Sequence, residues 1–139
     1  MSSDKTPTYI YKLVPHTSPP PTPLPLALPV SPLDQNDKFI HLSTSIQVPR
    51  TLRVYFKTSE NPSVYVLRIP YERVAKDIRW EDPRGQSPGE VGAEGIFPHL
   101  YNGLKVGREE VESVKVLESR EGENGWEEAL KGVEDWLVY

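Results

Sequence analysis

A run of prolines constrains the fold of this chain more than any other feature of its sequence. Eight of the fifteen prolines lie between Pro15 and Pro32. Proline lacks a backbone N–H and fixes φ, so this stretch can be neither a helix nor a central strand. We expect residues 15–32 to follow the surface in a polyproline-II-like conformation, because fourteen residues before it are too few for a separate domain. Its apolar side chains are expected to lie against the body of the protein; they are Leu24, Leu26, Leu28 and Val30.

Short alternating or apolar segments predict the strands. Residues 8–13 (TYIYKL) alternate with a period of two, which is typical of a half-buried strand. Five further segments are rich in β-branched, aromatic or other apolar residues, as strands usually are. They are 39–42 (FIHL), 63–69 (SVYVLRI), 78–81 (IRWE), 96–101 (IFPHLY) and 111–117 (VESVKVL).

Two apolar stripes at helical spacing predict helices. The first runs from Val48 to Phe56, and the second, from Trp126 to Leu137, predicts an appended helix over residues 125–137. Combined with the strands, these helices predict a single α+β domain over residues 1–139. Its core is a small, mostly antiparallel sheet with a few helices.

Charge and composition exclude several classes of function. The net charge is −4 and the basic residues are scattered among carboxylates, so extended nucleic acid is not expected as a partner. Without cysteine, the chain has neither disulfides nor thiolate metal ligands. We expect a cytoplasmic protein, a monomer or weak homodimer, with neither a secretory signal nor a membrane span. Its expected partner is a small anionic or nucleotide-like ligand, held by a few cationic groups.

His41, in the segment FIHLSTS, is the first candidate catalytic residue. Strand alternation places it on the face opposite Ile40 and Leu42, and Ser43 and Thr44 follow it directly. An imidazole, two hydroxyls and the N–H groups of a helix start can bind one anion together. The alternative is a histidine at the edge of the core, bonded to a backbone carbonyl. We favour the functional interpretation, because a purely structural position would favour an apolar residue.

His99, in IFPHLYNG, is the second candidate catalytic residue. Tyr101 lies on the same strand face, so an imidazole and a phenol lie side by side. Such a pair can supply hydrogen bonds or acid–base catalysis. The alternative is a structural histidine–tyrosine pair near the Asn102-Gly103 turn. Here too we favour function.

The segment IRWE supplies a third group. On a strand, Arg79 and Glu81 share one face and Trp80 points to the other. Arg79 can bind a phosphate, and Glu81 can stabilise a developing positive charge. The structural alternative is a buried Trp80 with Arg79 and Glu81 as a surface ion pair. Lys12, from the first strand, can join the site or be solvated only.

Several familiar sites are absent from the sequence. There is no GxGxxG and no GxxxxGK[ST], so neither phosphate-binding loop is present. Two candidate histidines without a neighbouring carboxylate or a third histidine are a poor basis for a metal site, and we expect no metal.

The order of the motifs resembles the family called domain of unknown function 952, over residues 9–117. The segments that carry the resemblance are IYK, FIHLSTSIQVPRTLRVYF, VYVLRIP, IRWE, IFPHLYNGL and VESVKVL. Members of that family have a fold similar to the ADP-ribosyltransferases, closest to the tRNA 2′-phosphotransferase branch. That branch also carries an H-L-S-T stretch, which residues 41–44 match.

The resemblance implies an ADP-ribosyltransferase-like fold with a cleft between two small sheets that binds NAD, as substrate or ligand. The pocket that the resemblance implies is lined by Lys12, His41, Ser43, Arg79, Glu81, His99 and Tyr101. Within it we expect His41, His99 and Glu81 to be catalytic. The residues expected to hold the cofactor are Lys12, Ser43, Thr44, Arg79 and Tyr101. The sequence departs from the family at Lys12, where a histidine is usual, and in the proline-rich segment, which replaces a helix.

Four hypotheses follow. The first is an NAD-dependent transferase of the ADP-ribosyl or phosphotransferase-like kind. The second is a binding module that keeps the pocket without turnover, which the replacement at Lys12 favours. A small hydrolase or isomerase using His41 and His99 is the third. In the fourth, the proline-rich segment is a ligand for SH3- or WW-like partners.

Overall fold

The computed structural model of the protein describes residues 5–121 and 125–139. Within them, six strands form two three-stranded sheets, which confirms the expected small α+β fold with antiparallel sheets and few helices. The elements are β1 (Tyr9–Pro15), α1 (Pro32–Asp37), β2 (Ile40–His41), α2 (Val48–Tyr55), β3 (Ser63–Pro70), β4 (Ile78–Glu81), β5 (Phe97–Leu100), β6 (Ser113–Glu118) and α3 (Glu127–Lys131). Two short 3-10 turns, Tyr71–Arg73 and Ala75–Asp77, connect β3 to β4.

The first sheet has the order β1-β3-β6, and both of its faces are covered. Leu67 and Ile69 on one face of β3 belong to a core cluster shared with the second sheet. Val64 and Val66 on the other face belong to a second cluster with α2 and the C-terminal segment. Because β3 is central and buried on both sides, its sequence is a nearly continuous apolar run.

The second sheet has the order β2-β5-β4 and one apolar face. Ile40 and Leu100 are buried in the first core cluster, against the first sheet. His41 and His99 are their neighbours in sequence, so strand alternation places both imidazoles on the opposite face. The second sheet therefore separates a hydrophobic core from a polar surface.

Backbone hydrogen bonds and apolar side-chain contacts both hold the proline-rich segment against the rest of the protein. Leu28 N–H donates to the carbonyl of Val106, and Arg108 N–H donates to that of Pro25. Leu24 and Leu28 pack on the first core cluster, whereas Leu26 is about half exposed. At its end the chain forms α1, a helix that the sequence interpretation did not include.

The C-terminal segment differs from the continuous helix expected over residues 125–137. Helix α3 ends at Lys131, before Gly132, and turns follow. Glycine is a poor helix former, which accounts for the early end. The expected apolar residues still pack together: Trp126 is buried in the second core cluster, and Leu137 lies against it. The C-terminal segment therefore packs as part of the second core cluster.

No helix in these two ranges, 5–121 and 125–139, has the length and hydropathy needed to cross a bilayer.

Candidate functional site

The second sheet places three of the candidate residues in one row across its strands. His41 of β2 is opposite His99 of β5, and His99 is opposite Arg79 of β4. The two imidazole rings meet edge to face, with centroids 5.3 Å apart. Glu81 and Tyr101 lie two residues along from Arg79 and His99, on the same side. We call these five residues the histidine face.

Glu81 connects His99 to Tyr101. Its Oε1 is 3.0 Å from Nδ1 of His99 and accepts a hydrogen bond from the hydroxyl of Tyr101 at 2.6 Å. Both Glu81 and His99 are buried. Burial, together with the hydrogen bond to Glu81, raises the pKa of Tyr101 to about 12. The phenol therefore stays protonated at neutral pH and continues to donate to the carboxylate.

His99 is held as a neutral imidazole with one open nitrogen. Burial lowers the pKa of His99 below its usual value, and this outweighs the opposing hydrogen bond with Glu81. A neutral ring has a single N–H, and the carboxylate of Glu81 can only accept, so the proton is assigned to Nδ1. Nε2 then carries a lone pair, and none of the described residues donates to it. This nitrogen can act as a hydrogen-bond acceptor or a base.

The lowered pKa of His99 predicts that stability falls in mild acid. In the unfolded chain His99 titrates near 6.5, whereas the folded protein takes up that proton only at lower pH. As pH decreases through this interval the unfolded state binds more protons, so the free energy of unfolding decreases. Urea unfolding at pH 7.5 and pH 5 measures the loss. We expect a smaller loss in His99→Gln, and an equal loss in both proteins would contradict this assignment.

His41 lies between two carboxylates of α1. Its Nδ1 is 2.6 Å from Oδ1 of Asp34, and its Nε2 is 3.0 Å from Oδ2 of Asp37. Both ring nitrogens of His41 therefore face carboxylate oxygens. The side chain of His41 is 23% exposed, compared with 2% for His99, so a ligand can reach it.

Lys12, on β1 of the first sheet, also reaches Asp34, and its ammonium group is paired with that carboxylate. Its Nζ is 2.7 Å from Oδ2 of Asp34, whose side chain is 3% exposed. Burial raises the pKa of Asp34, yet the hydrogen bond from His41 and the charge of Lys12 outweigh it, and the pKa is lowered. Lys12, Asp34 and His41 therefore form one charged chain. A small, mainly apolar pocket lies beside it, lined in part by Leu28 and Val106.

The structure does not bring every candidate to the histidine face. Ser43 and Thr44 are buried; Ser43 forms a backbone bridge with Tyr11, and the Thr44 hydroxyl accepts from the N–H of Gln47. Trp80 is buried on the other side, where its indole N–H donates to the hydroxyl of Tyr71.

Arg79 is exposed and lies over the ring of Tyr101, with 4.4 Å from its guanidinium carbon to the ring centroid. Arg79 makes this cation–π contact in place of the surface ion pair with Glu81 that was the structural alternative, because Glu81 turns inward to His99 and Tyr101.

Three residues of the site were missed by the sequence interpretation: Asp34, Asp37 and Phe39. A signal for α1 was present, since Ser31 caps the helix by accepting from the N–H of Asp34, and proline follows at the first position. A spacing of three then puts Asp34 and Asp37 on neighbouring helical positions. Nothing local indicated that His41 would lie against them.

Of three comparisons with known proteins, one identifies a family, one finds solved structures with a similar fold, and one finds no match. The sequence profile of the family described as "Protein of unknown function (DUF952)" matches residues 26–114. A crystal structure of the protein CC0527 from Caulobacter crescentus is 26% identical, with a TM-score of 0.57 over 86% of this chain and 92% of that chain. A solution NMR structure of CC0527 gives a TM-score of 0.61 at 26% identity, over 90% of this chain and 96% of that chain. No curated protein matches the chain.

Proposed function

The chain belongs to the family described as "Protein of unknown function (DUF952)", and from its site we propose that the histidine face binds a nucleotide-like anion of the NAD or ADP-ribose kind. The observation that carries this proposal is the row of His41, His99 and Arg79 across one sheet. It combines the guanidinium of Arg79 with a neutral acceptor on His99, a mixture that suits a phosphorylated sugar.

Each part of such a ligand has a partner of matching chemistry. The exposed guanidinium of Arg79 can bind a phosphate through charge-assisted hydrogen bonds. The lone pair on Nε2 of His99 can accept from a ribose hydroxyl. The rings of Tyr101 and His41 can pack against a planar base. Lys12 contributes through Asp34, by fixing His41, since its own ammonium group is already paired.

The resemblance to the ADP-ribosyltransferases supports NAD as the ligand to test first. In the transferase version the bond between C1′ of ribose and nicotinamide breaks, and its electron pair leaves with nicotinamide. Water or an acceptor hydroxyl then adds to C1′ and gives its proton to Nε2 of His99. Glu81 acts by positioning His99 and Tyr101, while Asp37 is the carboxylate that remains partly exposed, at 25%.

Titration with NAD and with ADP-ribose at millimolar concentration tests the proposal. We expect shifts of the His41 and His99 imidazole NMR signals. In Arg79→Gln the affinity should fall about tenfold, since a hydrogen bond to a charged group contributes about 1.5–3 kcal/mol. Arg53→Gln is the matched control, because Arg53 is exposed on α2 and not on the second sheet. If neither histidine responds to either ligand, the proposal fails.

An assay of nicotinamide release separates the transferase from its alternatives. Release that disappears in His41→Ala supports the enzyme, and binding without release supports a module without turnover. A second candidate, a small hydrolase or isomerase, is favoured by one observation: His99, whose Nδ1 is held by Glu81, lies next to His41, with the two ring centroids 5.3 Å apart. For that enzyme, we expect a bell-shaped pH–rate profile.

A further inference from the structure

We propose that Phe39 is a displaceable gate over His99, and that its seat receives the planar ring of the ligand. This inference rests on the proposed function, since it concerns access to the same site. It starts from a conflict in the structure. His99 offers an unpaired Nε2, yet only 2% of its side chain is exposed.

The ring of Phe39 packs on three rings of the histidine face. It stacks on His99 with centroids 4.2 Å apart and planes 25° apart. It also lies 4.4 Å from the ring of His41 and 5.1 Å from that of Tyr101. One phenyl ring therefore occupies a seat built from three other rings. Aromatic pairs at such distances attract each other beyond the effect of burial, and a flat ligand ring can make the same contacts.

The chain around Phe39 allows the ring to move separately from the sheet. Phe39 precedes the two-residue strand β2 and follows Lys38, which caps α1 in the left-handed conformation with φ 66°. On its far side the ring meets the β4–β5 loop at Gly85, where a Cβ atom would lie 2.8 Å from Cε2 of Phe39. The β4–β5 loop therefore lies against the ring of Phe39 at a residue without a side chain.

Carbethoxylation of His99 by diethylpyrocarbonate, followed by peptide mass spectrometry, tests the gate in the protein without ligand. The reagent attacks the unprotonated imidazole nitrogen, so Nε2 reacts only when Phe39 moves away. We expect wild-type His99 to react at a rate that does not change with urea below the unfolding transition, as for a local opening. A rate that rises with urea along the global unfolding slope would overturn the proposal, because only unfolding would then expose His99.

Two glycine variants supply a matched pair. Gly85 and Gly103 both have a positive φ, of 72° and 78°, so alanine strains the backbone at both. At Gly85 the new methyl group meets Phe39 and lies 3.3 Å from Oε1 of Glu81, whereas at Gly103 it meets nothing within 4 Å. We expect Gly85→Ala to speed the reaction of His99 about tenfold or more and Gly103→Ala to leave it unchanged. Equal rates in both variants would also overturn the gate.

A protection experiment with two added compounds distinguishes this inference from the proposed function. Nicotinamide mononucleotide should protect His99 from the reagent, and ribose 5-phosphate, which lacks the ring, should protect it less. If His99 becomes accessible by local opening and neither compound protects it, the result supports the movement of Phe39. It contradicts both the proposed ligand class and the proposed binding of a ligand ring. If both compounds protect His99 equally, the result supports the ligand class but contradicts the binding of a ligand ring in place of Phe39.

Discussion

Replacing Asp34 by asparagine is expected to lower the free energy of unfolding by about 3 kcal/mol. The carboxylate is almost fully buried and lies 2.7 Å from Nζ of Lys12 and 2.6 Å from Nδ1 of His41. It also accepts the backbone N–H of His41 at 3.3 Å. Asparagine keeps the size but removes the negative charge, so the largely buried ammonium group of Lys12 loses its carboxylate partner.

Asp37→Asn is the control for this prediction. Asp37 contacts the same imidazole at 3.0 Å, but a quarter of its side chain is exposed. Solvent screens this pair, and we expect a loss below about 1 kcal/mol. Urea unfolding of both variants at pH 7.5 measures the difference. Equal losses would show that Asp34 is not the centre of the charged chain.

Replacing Gly107 by alanine is expected to destabilise the protein by about 2–3 kcal/mol. A Cβ atom at this position would lie 2.0 Å from the carbonyl oxygen of Leu26 and 2.5 Å from that of Pro25. Both are backbone atoms, and hydrogen bonds from Leu28 and Arg108 hold the two chain segments together on either side. The proline-rich segment must therefore move away from the body of the protein.

Gly132→Ala is the matched control for Gly107→Ala. Its φ of −70° suits alanine, and the nearest atoms to the added methyl group are at 3.5 and 3.9 Å. We expect a change within about 0.5 kcal/mol, measured by the same urea unfolding. A loss at Gly132 as large as that at Gly107 would argue against the close crossing. A proline-rich segment that stays in place in Gly107→Ala, seen as unchanged NMR shifts of Leu24 and Leu28, would contradict the prediction as well.

Much of the site could be predicted from the sequence, because its members lie in strands with a clear pattern. His41, His99, Arg79, Glu81 and Tyr101 all lie on one face of the second sheet, as alternation within each strand indicates. The roles assigned to Lys12, Ser43 and Thr44 were less well founded. Each is polar and near the site in sequence, but the fold uses Lys12 in an ion pair and buries the two hydroxyl residues.

The rest of the site depends on contacts between distant parts of the chain. The approach of Asp34 to Lys12 joins residues 22 positions apart, and that of Glu81 to His99 joins residues 18 positions apart. Phe39 looked like one more apolar strand residue, and only the packing shows that its ring covers His99. The extent of the last helix was also open, since a stripe of apolar residues fixes which side chains are buried but not where the helix ends.

The sequence by itself determined the local structure: the alternation that forms the strands, the prolines that keep residues 16–31 out of helix and sheet, and the polar side chains of the second sheet. Such patterns act over a few residues, where backbone geometry decides which side chains share a face. Only the tertiary structure decided the neighbours, since pairing between β2, β5 and β4 brings together residues that no local rule connects. The chemistry of the site follows from those neighbours, because burial and hydrogen-bond partners set which nitrogen of His99 is open.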